Sequence, residues 1–322
     1  MRILLLITLL FILSCQQKEE KEGSQKVTAE KEIVPNSPFL TVLGTIQDAG
    51  SPHIACKKEC CSELFKNPDP LRQVTSLGLV DPINNTSYLF EATPDISRQL
   101  KKLTKIAKSE GEFPEGIFLT HAHIGHYSGL MYLGKEATNA NNIPVYAMPR
   151  MKAFLETNGP WDQLVHTGNI SIEEMAAKKE ILLTDQVSVT PFLVPHRDEY
   201  SETVGYTIEG PSKKALFIPD IDKWEKWGTS IMEIISEVDY AFVDATFYHG
   251  EEINTRDISQ IPHPFIIESM ALFSSLTLEE KQKIHFIHFN HTNPVLNTES
   301  QAYKTVVESG FNVASIDGIF PL

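Results

Sequence analysis

The sequence has few positive charges and no stretch in which they are concentrated. Its 28 Lys and Arg residues are outnumbered by 42 Asp and Glu residues, which gives a formal net charge of −14 over 322 residues. Proteins whose main partner is nucleic acid bind phosphate groups through clustered Lys and Arg. The sequence therefore argues against a nucleic-acid partner. It also has no internal repeat, and its 42% hydrophobic content suffices for an ordinary globular core.

The apolar run at the N-terminus is too short to span a bilayer. Residues 3–13 follow the single positive charge of Arg2, a pattern that is typical of a secretion signal. The run ends in Ile12-Leu13-Ser14-Cys15, which resembles the bacterial lipobox, where the chain is cleaved before the cysteine and its thiol is diacylated. An ordinary signal peptide that happens to contain this cysteine is the alternative.

These features predict three segments. Residues 1–14 form a lipoprotein signal peptide, residues 15–37 form a flexible tether rich in Gln, Lys, Glu and Ser, and residues 38–322 form one folded domain. We expect acyl chains on Cys15 to hold the protein to a membrane of the bacterial cell envelope. The sequence leaves open whether that is the periplasmic face or the cell surface of the outer membrane.

Short strands alternate with a smaller number of helices along the predicted domain. The apolar patterns predict strands at residues 39–46, 74–80, 86–90, 116–120, 144–148, 187–194, 205–208, 215–219, 240–243 and 284–289. They predict helices at residues 96–108, 126–135, 149–157, 231–238, 265–274 and 299–309. This mixture suits a sandwich of two sheets with helices on its outer faces.

Three histidines, His121, His123 and His126, follow the predicted strand that begins at Gly116. Two imidazoles at i and i+2 beyond a strand point to one side, and a third can join them once the chain turns into a helix. Neutral imidazole suits Zn²⁺, and three protein ligands that leave one position open to water are typical of a catalytic site. Three unrelated surface histidines are the alternative.

Residues 119–130 resemble the His-x-His-x-Asp-His signature of the metallo-β-lactamase superfamily, with Gly125 in place of the usual Asp. The resemblance implies an α/β (α+β) fold, the four-layer αββα sandwich. It also implies that later strand ends supply further metal ligands, although a single strand-end histidine is more often solvated or hydrogen-bonded than a ligand. The implied ligands are His121, His123, His126, His196, Asp220 and His288.

The resemblance divides these residues between two metal sites. The first has three histidines, His121, His123 and His196, and Asp220 bridges both metals. The second has Asp220 and the remaining two histidines. Because Gly125 removes the family's other carboxylate, we expect the second site to bind metal more weakly. Asp244 is similar to an acid that orients a ligand histidine from behind.

Three further thiols, Cys56, Cys60 and Cys61, form a cluster near the start of the predicted domain. On an exported chain they could form one disulfide and leave a spare thiol. A structural zinc is favoured, because three thiolates and one imidazole fill a tetrahedral site without leaving a reactive thiol. The spacing His288-x-x-His291 resembles cyclic phosphodiesterases of phosphonate breakdown, which makes His291 the candidate fourth ligand; His53 is the alternative.

Several segments together resemble the coenzyme pyrroloquinoline quinone (PQQ) biosynthesis protein B family. The resemblance covers nearly the whole predicted domain, and its most particular features are the thiol cluster and the Thr-Asn-Pro sequence at residues 292–294. The predicted lipid anchor is a departure, because cofactor assembly is cytoplasmic. A homologue with another substrate is therefore expected.

The resemblance to the metallo-β-lactamase superfamily implies a zinc-dependent hydrolase of a small molecule. It would attack an ester-type bond, with a phosphodiester favoured, through metal-bound hydroxide. It would hold one or two catalytic Zn²⁺ ions and one further, structural zinc ion. Asp220 and His263 are the candidate catalytic residues, His263 as proton donor or phosphate contact, although a turn role explains this histidine equally well. The alternatives are a non-hydrolytic accessory or binding protein related to PQQ biosynthesis and a β-lactam or thioester hydrolase.

Overall fold

The computed structural model describes residues 35–252 and 261–322. The predicted signal peptide, Cys15 and nearly all of the predicted tether lie outside these residues. Among the described helices, none combines the length and the apolar character needed to cross a membrane.

The first sheet contains seven strands in the order β14-β1-β2-β3-β4-β5-β6. Strands β14, β1, β2 and β3 pair antiparallel, whereas β3, β4, β5 and β6 pair parallel. The strands are β1 Phe39–Gly44, β2 Ser76–Asp81, β3 Thr86–Phe90, β4 Gly116–Phe118, β5 Ile143–Ala147, β6 Ile170–Glu174 and β14 Ile319–Pro321.

The second sheet also contains seven strands, in the order β13-β12-β11-β10-β9-β8-β7. Strands β7 to β10 pair antiparallel and β10 to β13 pair parallel. The strands are β7 Ile181–Leu182, β8 Ser188–Leu193, β9 Val204–Glu209, β10 Lys214–Ile218, β11 Tyr240–Asp244, β12 Ile284–Ile287 and β13 Asn312–Val313.

Helices cover the outer face of each sheet. One apolar cluster joins α2 to the first sheet through Leu103, and another joins α6 to the second sheet through Ile235. A third cluster, which includes Phe118 and Tyr206, fills the space between the sheets. These layers confirm the predicted αββα sandwich. The helices are α1 Glu59–Ser62, α2 Ile96–Ala107, α3 Ile124–Tyr127, α4 Pro149–Thr157, α5 Trp161–His166, α6 Ile231–Ser236, α7 Ile266–Leu272, α8 Leu278–Gln282 and α9 Gln301–Glu308.

The chain after the histidine motif differs from the predicted helix at 126–135. Helix α3 ends at Tyr127, and a 3-10 helix follows over Ser128–Leu133. The reason is a close approach at Gly129, whose amide donates a hydrogen bond of 2.9 Å to the carbonyl of Ala92. A Cβ atom there would lie 2.1 Å from the carbonyl oxygen of Thr93, so only glycine fits. Contact with the neighbouring loop therefore replaces a continuous α-helix.

Both sheets present the carboxyl ends of several strands at one edge of the sandwich. Strands β1 and β4 run in the same direction, as do β8, β10, β11 and β12. Beyond β1, Ile46 forms parallel bridges with both Val74 and Phe289 and so joins the two sheets at this edge. Side chains that follow different strands are thereby brought to one place.

A half-buried histidine in β12, His285, makes the stability of the fold sensitive to acid. The ring of His285 packs against those of Phe242 and Phe320, with ring centroids 5.3 and 4.8 Å away. Burial lowers its pKa to about 4, compared with about 6.5 in an unfolded chain. Such a group stabilises the fold fully above the unfolded pKa, and this contribution is lost as pH falls from about 6.5 towards 4.

We predict that His285→Phe weakens the acid sensitivity of the fold. Between pH 6.5 and 4.5 the wild-type free energy of unfolding should fall faster than that of the variant, by up to about 1.4 kcal/mol per pH unit. Urea unfolding of metal-free protein at a series of pH values measures both slopes. Parallel slopes would show that this imidazole does not titrate on unfolding.

Candidate metal centre

The first group of donors follows strands of both sheets. His121 and His123 follow β4, His196 follows β8 and Asp220 follows β10, and one ligand atom from each lies within 4.8 Å of the others. His121 Nε2 is 3.4 Å from Asp220 Oδ2, and His196 Nε2 is 3.3 Å from Asp220 Oδ1. His123 presents its other nitrogen, with Nδ1 2.8 Å from His121 Nε2. The structure thus brings together the residues predicted for the first site.

The second group shares Asp220 with the first and adds His126, His288 and Asp48. Asp48 Oδ1 lies 3.0 Å from His126 Nε2 and 3.2 Å from His288 Nε2. The two histidines place their Nε2 atoms 3.7 and 4.0 Å from Asp220 Oδ2. The prediction that Gly125 leaves this group without a second carboxylate is therefore wrong, because Asp48 reaches it from the loop after β1.

The donors fit a divalent metal ion. Buried polar atoms in folded proteins nearly always have a hydrogen-bond partner. His196 Nε2 and Asp220 Oδ1 are buried and have none, although both point into the first group. Imidazole nitrogens and carboxylate oxygens are ligands that zinc and similar ions accept. A metal ion between them would satisfy these atoms.

The remaining ring nitrogens contact polar groups that orient the imidazoles. Such contacts fix the tautomer, so that the other nitrogen faces the metal. The pairs are His121 Nδ1 with Thr120 Oγ1 at 2.8 Å, His123 Nε2 with Glu199 Oε2 at 3.2 Å, His196 Nδ1 with Asp222 Oδ1 at 3.2 Å, and His288 Nδ1 with Thr246 Oγ1 at 3.0 Å. His126 Nδ1 lies 3.4 Å from Glu91 Oε2 but makes no hydrogen bond.

The buried charges favour metal binding. Burial by itself raises the pKa of Asp220, but the surrounding histidines, chiefly His196, His263 and His288, hold it well below its usual range. Burial holds the pKa of His121 well below its usual range, so this imidazole is neutral and available as a ligand. Because metal ligands must be deprotonated, metal binding here would release protons from those ligand histidines that are still charged.

Glu91 lies beside the candidate metal centre and was not singled out from the sequence. Its side chain is fully buried, its backbone φ is +77°, and Oε2 lies behind the ring of His126. Positive φ is strained for a residue with a side chain and tends to occur at functional sites. Its place in the sequence, immediately after β3, is the signal that could have drawn attention to it. The amide of the next residue, Ala92, donates to the carbonyl of His126 in α3.

His263, the predicted proton donor, lies beside both groups of donors. Its Nδ1 is 2.8 Å from Asp244 Oδ2 and 3.1 Å from Asp220 Oδ1. Burial opposes the charged form, but the two carboxylates raise the pKa of His263 well above its usual range. Asp244 contacts His263 directly, whereas it lies 4.0 Å from His288 Nδ1 and reaches it through Thr246, which donates to Asp244 Oδ1 at 2.7 Å.

The thiol cluster is a separate group of donors. One ligand atom from each of Cys56, Cys61 and His291 lies within 4.8 Å of the others, and Cys60 Sγ is 3.8 Å from Cys56 Sγ. All three thiols are free. His291 Nδ1 is buried without a partner, and burial lowers the pKa of this imidazole to about 4. His53 stacks on the His291 ring, and its Nδ1 accepts a hydrogen bond from a backbone amide.

An open cleft of about 760 Å³ lies beside the thiol cluster and reaches His263 at the edge of the metal centre. Its lining includes His263 from the metal centre and Cys56 and His291 from the thiol cluster. Three positive side chains also line it, those of Lys57, Lys58 and Arg197. Because the protein as a whole is strongly acidic, these side chains form a local exception that favours an anionic ligand.

Comparison with known families identifies the fold. Residues 86–289 match the Beta-lactamase superfamily domain. The chain belongs to this superfamily. The match spans α3 and the ends of β4, β8, β10 and β12, which supply all the histidines of the two donor groups.

Individual relatives agree with this assignment. Coenzyme PQQ synthesis protein B from Methylococcus capsulatus is 26% identical over 310 residues, which cover 87% of this chain and 98% of the relative. The protein of the same name from Methylobacterium sp. is 25% identical over 301 residues, which cover 86% of this chain and 97% of the relative. The crystal structure of Zn²⁺-bound PqqB from Methylobacterium extorquens superposes with a TM-score of 0.71 at 22% identity, covering 88% of this chain and all of that one. The predicted similarity to PQQ biosynthesis protein B is thereby confirmed.

A second solved structure has the same fold. A diphosphatase of the PhnP family has a TM-score of 0.58 at 20% identity and covers 88% of this chain and 98% of its own.

Proposed function

We propose that the protein is a metal-dependent hydrolase of small molecules that uses zinc at the two donor groups and favours a phosphodiester. The observation that carries the proposal is the sharing of Asp220 by two adjoining groups of donors beside an open cleft. Paired metals of this kind act on both the attacking and the leaving oxygen of a displacement. The zinc bound by the superposed PqqB supports the choice of metal.

The chain's own residues would carry out the other parts of the reaction. When bound, a divalent ion supplies Lewis acidity that lowers the pKa of water and stabilises developing negative charge. The outer contacts of the histidines hold each donor in place before the reaction. His263, which the neighbouring carboxylates keep protonated, is placed to give a proton to a leaving group.

The positive side chains support an anionic substrate. Lys57 and Lys58 lie on the thiol loop and Arg197 follows the ligand His196, so a phosphodiester in the cleft could contact cations from two sides. The similar fold of a diphosphatase agrees with phosphorus chemistry.

The name of the curated relatives favours a second candidate function. Those proteins are called coenzyme PQQ synthesis proteins, a role that does not in itself specify hydrolysis. An accessory protein that binds a small anionic molecule at the same centre is therefore the alternative.

We also propose that the thiol cluster, Cys56, Cys60, Cys61 and His291, holds a structural zinc ion. Burial opposes ionisation of Cys56, but the amide of Lys58, which donates to its Sγ at 3.4 Å, and the neighbouring thiols lower its pKa. The amide of His53 donates to Cys61 Sγ at 3.3 Å, whereas burial raises the pKa of that thiol. Such a metal would stabilise the loop that forms one wall of the cleft.

Export and anchoring remain part of the proposal. The apolar run, the lipobox-like sequence and the polar tether support a lipoprotein held to the cell envelope through Cys15.

We predict that His121→Ala and His196→Ala each lose the metal ion of the first donor group and lower turnover of bis-p-nitrophenyl phosphate by at least about 100-fold, because each removes a donor that this group needs. His166→Ala, at an exposed position in α5, is the matched control. Nitrocefin, a thioester and a lactone complete the panel. A wild-type protein loaded with metal that turns over none of these would favour the binding function, and full activity in either variant would contradict the centre.

We predict that Cys61→Ser loses one zinc equivalent and several degrees of melting temperature but retains the metals of the histidine groups. Ser62→Ala, the next residue along α1, is the control. Zinc analysis and thermal unfolding measure the two effects. Thiol titration of the denatured wild type gives a separate check, since a disulfide would remove two of the titratable thiols.

We predict that a bacterial host with a lipoprotein pathway attaches labelled palmitate to the wild type and not to Cys15→Ala. Cys60→Ala should keep the label, because its thiol lies in the folded domain. Radioactivity in the purified protein and its partition into the membrane fraction are the measurements. A wild type without label would contradict the anchor.

A further inference from the structure

We propose that Asp48 replaces the carboxylate ligand that position 125 lacks, and that Gly125 is glycine because the loop bearing Asp48 occupies the space of a side chain there. The proposal rests on the proposed function, since it assigns a ligand to the same metal centre. It implies that the second group binds a metal as a complete site, with two histidines and two carboxylates.

The position of the Asp48 carboxylate is that of a ligand. Its Oδ1 lies within 3.2 Å of the Nε2 atoms of both His126 and His288, which are the nitrogens turned away from their orienting partners. The Asp48 side chain is only 11% exposed. With Asp220, it gives the second group two negative charges, which match the charge of a divalent ion.

Gly125 makes this approach possible. A Cβ atom built on Gly125 would lie 2.4 Å from the Cα atom of Asp48 and 2.8 Å from its Cβ and Cγ. The nearest of these atoms belongs to the backbone, so rotation of the Asp48 side chain could not relieve the clash. Gly125 has no positive φ, and its small size rather than its backbone freedom is what the site requires. An aspartate at position 125 and the observed loop exclude each other.

The loop is held where it lies by backbone contacts on both sides. Thr45 and Gln47 exchange hydrogen bonds of 2.8 and 2.9 Å with Phe289, the residue that follows His288. Gly50 then turns the chain back, with φ of +75° and an amide that donates 2.9 Å to the carbonyl of Gln47. The backbone on either side of Asp48 is therefore fixed relative to His288.

Zinc binding to metal-free protein, measured in competition with a chromophoric chelator, tests the proposal. Asp48→Ala and Asp48→Asn should each weaken one histidine-group zinc by at least about 100-fold, the upper end of what loss of an orienting contact costs, and should leave the other zinc ions unchanged. Gly125→Ala should weaken the same ion, although it removes no donor. Gly228→Ala is the matched control, because a Cβ there meets nothing within 4 Å.

The possible outcomes separate the two proposals. A wild type whose histidine groups bind no zinc contradicts the proposed function. A wild type that binds two zinc ions there, with both Asp48 variants binding them as tightly, overturns the role of Asp48 and leaves the proposed function standing. A melting temperature near that of the wild type in Asp48→Asn shows that its result is not due to unfolding. Loss of zinc in Gly125→Ala but not in the Asp48 variants also overturns the role of Asp48.

Discussion

The centre depends on the buried carboxylate of Asp220. Asp220 lies between the two groups of imidazoles, and its oxygens are within 4.0 Å of histidines that follow β4, β8 and β12 or belong to α3. Burying a charge is costly unless charged or hydrogen-bonding groups surround it. The sandwich meets this requirement by ending several strands at one edge, so that each contributes a polar side chain there.

Most donors of the candidate centre could be predicted from sequence because they lie just beyond strands. An apolar run followed by His or Asp is visible in the chain around His121, His196, Asp220 and His288. The resemblance of residues 119–130 to the superfamily signature then indicated which later residues join them. The thiol cluster was visible for a similar reason, since its cysteines are close in sequence.

The missed features depend on contacts between distant segments. Gly125 suggested a lost ligand, whereas the structure shows Asp48 approaching from 77 residues away in the sequence. No local pattern reports such an approach. The same holds for the 3-10 helix after α3, which exists because Gly129 contacts a neighbouring loop. Strand β6 was missed because it lies at a sheet edge and ends in the exposed Glu173 and Glu174, which weakens the expected alternation.

His288 and His291 lie three residues apart on the segment that follows β12, yet they face different groups of donors. The first residue has φ of +69° and faces the carboxylates, and the second faces the thiols. Because only Phe289 and Asn290 separate the two histidines, a shift of this segment towards either group would also displace the histidine that faces the other group. The geometry of the carboxylate group therefore limits how far the thiol cluster can rearrange, and the reverse also holds.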